Sequence, residues 1–135
     1  MAAPDVEVKT LLDAVATPES LASGYTLFLG PEQPVEDGYE RVCVFVLDTG
    51  GGNSERFLGT LTDYRTHSIQ VVVRANHYDY AGGQALAAAC WSKLNCASIA
   101  GYVYCLPQQS GPAYVGEDEQ RMHRWSINVT LARTV

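Results

Sequence analysis

The sequence predicts an α+β fold: a mainly antiparallel sheet of four to five strands with two helices packed on one face. Two segments carry apolar residues at helical spacing, and five shorter segments have the apolar or alternating character of strands. Their order is helix, three strands, helix, two strands. Three of the four connections between consecutive strands lack a helix, which favours antiparallel pairing. At 135 residues, the chain is expected to form one domain covering residues 1–135.

The two helices are predicted over residues 4–16 and 79–95. The first has apolar residues at helical spacing, namely Val8, Leu11, Leu12 and Val15. Pro4 suits its first turn, because that position leaves a backbone N–H without a helical partner in any case. The second carries a wide apolar stripe, formed by Leu86, Ala87, Cys90, Trp91 and Leu94. Gly82 and Gly83 weaken its first turn by about 1 kcal/mol each relative to alanine.

The strands are predicted over residues 25–29, 41–47, 69–74, 99–105 and 125–131. The second is almost continuously apolar, as expected of a central strand that is covered on both faces. The last alternates strictly, so one of its faces is buried and the other is polar. Two glycine-rich segments, residues 48–56 and 107–120, are predicted to be loops.

The composition excludes several classes of function. Fifteen acidic against nine basic residues give a net charge of −6, which opposes nucleic-acid binding by counterion release. No apolar run approaches the roughly 20 residues of a membrane-spanning helix, and the amino terminus does not resemble a secretory signal. We therefore expect a soluble protein in a reducing compartment. Its four cysteines lack the Cys-x-x-Cys spacing of zinc sites, so reduced structural thiols and no metal or cofactor are expected.

One motif raises an enzymatic alternative. Asp48-Thr49-Gly50 follows an apolar strand and resembles the active-site turn of aspartic proteases, in which two aspartates share a proton. A homodimer would have to bring two copies of Asp48 together. The glycines that follow, where that family has alanine or serine, and the long helix over residues 79–95 count against this interpretation.

A second resemblance covers most of the chain. Residues 68–95 contain Gln-Val-Val-Val-Arg, then Tyr-Asp-Tyr-Ala, which fits the pattern Tyr-x-x-Ala, then a helix of small and apolar residues that ends in Leu-Asn. Further along, Gly116, Asp118, Glu119 and Arg121 precede an alternating strand. This pattern resembles the tail terminator and minor capsid proteins of long-tailed bacteriophages and gene transfer agents. The Gly82-Gly83 pair departs from it, because members usually have better helix formers there.

The resemblance implies a structural virion protein without enzymatic activity at the head–tail junction, assembled in the host cytoplasm. Members form a six-membered ring that caps the tail tube, stops its polymerisation and joins the tail to the head connector. The implied partners are further copies of the chain, the tail tube protein and the head–tail connector protein, and DNA passes through the channel without specific binding. A head–tail connector or tail completion protein at another joint is the alternative within this class.

Two sets of residues are predicted to make contacts in such an assembly. The candidates for ion pairs between subunits are Arg74, Asp79, Glu117, Asp118 and Arg121. The alternative is that they are solvated surface charges worth up to about 1 kcal/mol each. The candidates for contact with a neighbouring tail or head protein are Thr49, Gly50, Gly51, Gly52, Asn53, Ser54 and Glu55. An inert loop tip is the alternative there.

Overall fold

The computed structural model describes residues 3–13, 27–32, 42–51, 55–56 and 63–134. In these ranges the chain forms two α-helices and seven strands. The helices are α1 (Pro4–Leu12) and α2 (Tyr80–Leu94). The strands are β1 (Leu27–Leu29), β2 (Cys43–Gly50), β3 (Glu55–Arg56), β4 (Asp63–Ala75), β5 (Tyr104–Pro107), β6 (Ala113–Glu117) and β7 (His123–Thr134).

The strands form one mixed sheet around two long central strands. β4 and β7 pair antiparallel over almost their whole length, from Tyr64 opposite Thr134 to Ala75 opposite His123. On the far side of β4, β2 and the short β3 both pair antiparallel with it. On the far side of β7, β5 pairs with its second half and β6 with its first. β1 alone runs parallel to its neighbour, β2. The predicted α+β class is confirmed, but the predicted number of four to five strands is too small.

Both helices cover the same face of the sheet, as predicted. The alternating apolar residues of β7, from Trp125 to Leu131, point into one cluster with those of β2 and β4. Val8 and Leu12 of α1, and Leu86, Cys90 and Leu94 of α2, complete this cluster. Two helices can pack side by side here because the three central strands present a continuous apolar surface.

The opposite face carries a smaller apolar cluster. Cys43, Phe45 and Val72 are buried there, and the ring of Phe28 stacks on that of Phe45 at 5.3 Å. The guanidinium of Arg74 lies 4.9 Å above the Phe45 ring. The prediction that the second strand is covered on both faces is therefore confirmed for Cys43–Val46.

The two glycines at the start of α2 have separate structural reasons. Asp79 caps the helix, and its side chain accepts a hydrogen bond from the backbone N–H of Gly82 at 3.1 Å. A Cβ atom at Gly82 would lie 2.5 Å from the Asp79 carboxylate oxygens. A Cβ atom at Gly83 would overlap Cζ3 of Trp125 and lie 2.5 Å from Cβ of Ala75. Glycine thus allows both the cap and a close approach of helix to sheet.

The predicted loop over residues 48–56 is wrong at both ends. β2 continues through Gly50, and Glu55–Arg56 forms β3; residues 52–54 lie outside the described ranges. The hydroxyl of Thr49 donates to the Ser68 carbonyl at 2.9 Å, and Gly50 takes a φ of +95° at a register shift. Pairing with the long β4 overrides the local glycine-rich composition.

The boundaries at the other edge of the sheet also differ. Only Tyr104 and Cys105 of the predicted strand over residues 99–105 are strand, because a turn closed by the Tyr102 N–H and the Ile99 carbonyl precedes them, with Gly101 at φ +88°. The predicted loop over residues 107–120 contains β6, whose residues are mostly exposed. An exposed edge strand lacks the apolar alternation that identifies a strand in a sequence.

The remaining boundaries follow the predictions more closely. β4 and β7 enclose and extend the predicted strands, and α2 lies within the predicted helix with Asp79 and Asn95 as its caps. α1 ends at Leu12 with Asp13 as its C-cap. The predicted extensions at residues 14–16, 25–26 and 41 lie outside the described ranges.

Candidate functional site

A group of polar side chains gathers at the end of the sheet where α2 begins. We call His77, Tyr114, Glu117, Arg121 and His123 the histidine cluster. His77 lies in the turn between β4 and α2, Glu117 ends β6, and His123 begins β7. The strand register brings them together, since His123 lies opposite Glu117 on one side and opposite Ala75 on the other.

Hydrogen bonds link the members of the cluster in one chain. Nδ1 of His77 lies 2.8 Å from Oε1 of Glu117, and an Arg121 guanidinium nitrogen lies 3.0 Å from Nε2 of His77. Because arginine only donates, Nε2 of His77 accepts, and Nδ1 carries the proton that is donated to Glu117. Nε2 of His123 donates to the His77 carbonyl at 2.9 Å. In a neutral His123 ring, Nδ1 then accepts from the Tyr114 hydroxyl at 2.8 Å.

The turn between β6 and β7 holds Arg121 in position. Oδ1 of Asp118 accepts from the backbone N–H groups of Gln120 and Met122, both at 2.9 Å. The Asp118 carbonyl accepts from the N–H of Arg121, which has a φ of +62°. This left-handed conformation is unusual for a residue with a side chain. It is stabilised here by the surrounding hydrogen bonds of the turn.

Aromatic rings connect the cluster to the core. The ring of Tyr80 lies 5.2 to 5.3 Å from the rings of Tyr114, His123 and Trp125. Trp125 is 2% exposed and belongs to the helix-covered core, whereas Tyr114 is 45% exposed. The rings therefore form one packed group that extends from the buried core to the surface, and their contacts fix the position of His123.

An open cleft of about 670 Å³ adjoins the cluster. It is lined by Glu32, Arg74, Glu117, Asp118, Glu119, Gln120 and Arg124. Glu32 pairs with Arg124 at 3.2 Å and approaches Arg74 at 3.9 Å. Four of the lining residues are acidic and two are arginines, so the cleft is suited to charged partners and poorly suited to an apolar ligand.

The structure places the predicted interface residues in one region. Glu117, Asp118 and Arg121 lie in or beside the histidine cluster, and Arg74 reaches the cleft although it is only 3% exposed. Asp79 caps α2, directly after the turn that holds His77. The predicted contact segment begins on the exposed end of β2, at Thr49, Gly50 and Gly51, and continues to Glu55 in β3. Gly52, Asn53 and Ser54 lie outside the described ranges.

The predicted contact residues do not include the two histidines or Tyr114. They lie in separate segments, up to 46 positions apart in the hydrogen bond between His123 and His77. The sequence does contain one indication of the pairing, which is the short spacing between Glu117 and His123. A turn of that length between two strands places both residues at its base, where they can pair.

Comparison with known proteins identifies the family. Residues 29–135 match the family model described as "Bacteriophage tail terminator protein". The chain belongs to the bacteriophage tail terminator family. A solved chain from the structure "Virion of native gene transfer agent (GTA) particle" has the same fold, with a TM-score of 0.71 at 17% identity over 98% of this chain and 96% of that one. No curated protein matches.

Membership in the tail terminator family makes the chain a structural component of the virion tail. The aspartic protease alternative gains no support from the geometry. Asp48 is exposed at the end of β2, and its carboxylate accepts from the Gly50 N–H at 2.8 Å. Burial and the positive charge of Arg133 lower the pKa of the His67 side chain. The negative charge of Asp48 raises that pKa by a smaller amount, so the pKa is lowered overall.

The four cysteine thiols of the chain differ in burial. Cys43, Cys90 and Cys105 are buried without disulfides, and Cys96 is exposed. Burial raises the pKa of the Cys90 thiol to about 12 and is the main cause that raises that of Cys105 to about 11. These two thiols are therefore protonated and unreactive near neutral pH. Neither described helix is long and apolar enough to cross a membrane.

Proposed function

We propose that six copies of the protein close into a ring on the end of the tail tube, stop its polymerisation and join the tail to the head connector. The match to the tail terminator family over residues 29–135 carries this proposal. The function consists of binding alone, and no bond in a substrate is made or broken.

A ring needs two different surfaces on each copy that fit one another. We assign one of them to the charged region formed by Glu117, Asp118 and Arg121, whose side chains lie at the surface beside the cleft. Arg74 and Asp79 support this surface from within, through the contact with Glu32 and the cap of α2. Ion pairs across the subunit contact would hold copies in one orientation, because like charges face each other in other orientations.

The second surface is assigned to the edge formed by β5 and β6. Both strands pair with β7 on one side only among the described residues. Val103, Leu106 and Val115 are 63, 40 and 50% exposed along this edge. Exposed apolar side chains on a strand edge favour association with another chain.

The segment from Thr49 to Glu55 is assigned to the contact with the tube or the head connector. Its described beginning, Thr49–Gly51, is exposed and lies along β4 on the side away from the histidine cluster. The net charge of −6 supports passage of DNA through the ring, because it disfavours attraction to phosphate.

Light scattering after gel filtration, together with electron microscopy of the protein mixed with tail tubes, tests the proposal. The expected result is a particle of six 14.7 kDa chains, or a monomer that forms rings only on tube ends. Mixtures in which the tubes grow without limit and carry no cap contradict it. Rings that bind isolated head connectors and never tube ends indicate the alternative joint.

A charge reversal tests the assigned surface. Arg121→Glu is expected to raise the protein concentration that is needed for ring formation at least about tenfold, because one close ion pair would become a repulsion. Lys93→Glu is the matched control, because Lys93 is an exposed cation in the last turn of α2, away from the cluster. Equal loss in both variants would assign the effect to net charge alone.

A further inference from the structure

Three potential metal ligands converge in the histidine cluster. His77, Glu117 and His123 each offer one donor atom, and these atoms all lie within 4.8 Å of one another. We propose that these three side chains form a binding site for Zn²⁺. The proposal concerns the single chain and does not depend on ring formation.

The distances are close to those of a tetrahedral zinc site. With bonds of about 2.0–2.2 Å, neighbouring ligand atoms of such a site lie about 3.4 Å apart. Nδ1 of His77 lies 2.8 Å from Oε1 of Glu117, and Nε2 of His123 lies 4.0 Å from the same oxygen. Movements on the order of 1 Å would bring all three onto one ion. The ion would also replace the hydrogen bond from Nε2 of His123 to the His77 carbonyl at 2.9 Å, because that nitrogen cannot bind a metal and carry a proton at once.

The donor set selects the metal. Two imidazoles and one carboxylate favour Zn²⁺ and its transition-metal neighbours, whereas Mg²⁺ and Ca²⁺ prefer oxygen ligands throughout. Three protein ligands leave a fourth position for water. His123 is 9% exposed and the His77 side chain 30%, so the ion would be partly shielded and still accessible from the surface.

The surroundings would orient one ligand and attract the ion. When Nε2 of His123 binds the metal, Nδ1 carries the ring proton, and the hydroxyl of Tyr114 at 2.8 Å accepts it. Such a partner fixes the ring of a ligating histidine. Four acidic side chains against two arginines line the adjoining cleft, and this excess of negative charge favours a cation.

Arg121 and the metal would exclude one another. Without metal, Arg121 donates to Nε2 of His77. Once Nδ1 of His77 binds zinc, Nε2 carries the proton and can no longer accept from Arg121. Arg121 therefore occupies the cluster as a cation in the absence of metal and must turn away when zinc binds.

Titration of the full chain with ZnCl₂, followed by calorimetry, tests the site. One ion per chain is expected to bind saturably. Glu117→Gln and His123→Gln are each expected to weaken binding at least about 100-fold, since removal of even an outer partner of a ligand costs about 10–100-fold. Absence of saturable binding overturns the proposal, as does unchanged binding in the double variant His77→Gln/His123→Gln. Circular dichroism must show that each variant is folded. If the variants of the strand residues Glu117 and His123 unfold, His77→Gln replaces them in the test, because His77 lies in a turn outside the strands.

Two further variants distinguish this site from zinc binding at a thiol and test the role of Arg121. Cys96→Ser removes the exposed thiol and is expected to leave zinc affinity unchanged; loss of binding would move the site to Cys96.

Arg121→Ala is expected to bind zinc as tightly as the unmodified chain or more tightly, because a competing cation is removed. Weakening of more than about tenfold in Arg121→Ala contradicts the mutual exclusion of Arg121 and zinc. With Co²⁺ as the probe, the absorption spectrum should lack thiolate charge-transfer bands.

Discussion

The helix-covered core and the histidine cluster are built on the same two strands, β4 and β7, yet they are held together differently. In the core, Ile127, Val129 and their neighbours are fully buried and each contacts several others. The cluster is held by hydrogen bonds as well as ring contacts, and at the exposed Glu117 and Arg121 water can replace the hydrogen bonds. The core therefore determines stability, whereas the cluster can change partners without unfolding the chain. A surface for assembly or metal binding requires this freedom.

Truncation of the core should have the largest effect. Ile127→Ala removes three carbons from a site with no solvent exposure, so we expect a loss of about 2–5 kcal/mol in the free energy of unfolding. Urea denaturation measures it. Val115→Ala on the exposed β6 is the control and should change the free energy by about 0.5 kcal/mol or less. Similar losses at both positions would contradict the contrast between buried and exposed regions.

The glycine pair at the start of α2 allows a sharper test of the boundary between the two regions. In Gly83→Ala, the new methyl group meets Trp125 and Ala75, and we expect a net loss of about 1–3 kcal/mol. In Gly82→Ala, the methyl group meets only the Asp79 side chain, which can turn away. The lost cap costs about 1 kcal/mol, and the gain in helix propensity of about 1 kcal/mol offsets it. Thermal unfolding of the two variants should therefore differ, and equal midpoints would contradict the close packing of Gly83.

The same contrast determines how much of the fold the sequence predicts. The buried strands and α2 follow from apolar periodicity, because a residue that faces the core must be apolar wherever its partner lies. β3 and β6 are not predicted, since β3 has only two residues and most residues of β6 are exposed. The boundary error at residues 99–103 has a local cause, the turn at Gly101.

The sequence predicts only part of the candidate site, for a related reason. Charged residues near the β6–β7 turn are visible in the sequence, and Glu117, Asp118 and Arg121 do lie together. His77 and His123 join them only through the register of β4 with β7. Register depends on pairing between distant segments, so no local pattern reveals which histidine meets which carboxylate.

Removal of a single hydroxyl from the histidine cluster should have a smaller effect than the core changes. Tyr114→Phe deletes the hydrogen bond to Nδ1 of His123 at 2.8 Å and keeps the ring contacts with Tyr80 and Trp125. We expect a loss of about 0.5–1.5 kcal/mol and a changed NMR signal of the His123 ring nitrogens. Tyr78→Phe is the control, because Tyr78 is 92% exposed. A Tyr114→Phe variant whose His123 signals match those of the unmodified chain would show that the hydroxyl does not contact the imidazole.

The smallest effect is expected at the opposite end of the same strands, where the helix-covered face becomes charged. Burial, together with the Arg133 and Arg65 charges, lowers the pKa of His67 below its usual value of 6.5, although Asp48 acts in the other direction. The unfolded chain then binds more protons than the folded chain below about pH 6.5, so stability falls as the pH drops through that value and is constant above it. Urea midpoints at about pH 7.5 and about pH 5.5 measure this loss.

The loss of stability should be smaller in His67→Gln, which cannot take up the proton, and also in Arg133→Gln, in which one cause of the lowered pKa is removed. A loss that is unchanged in His67→Gln would assign the pH dependence to other groups, and a larger loss in Arg133→Gln would contradict the sign of the interaction between Arg133 and His67.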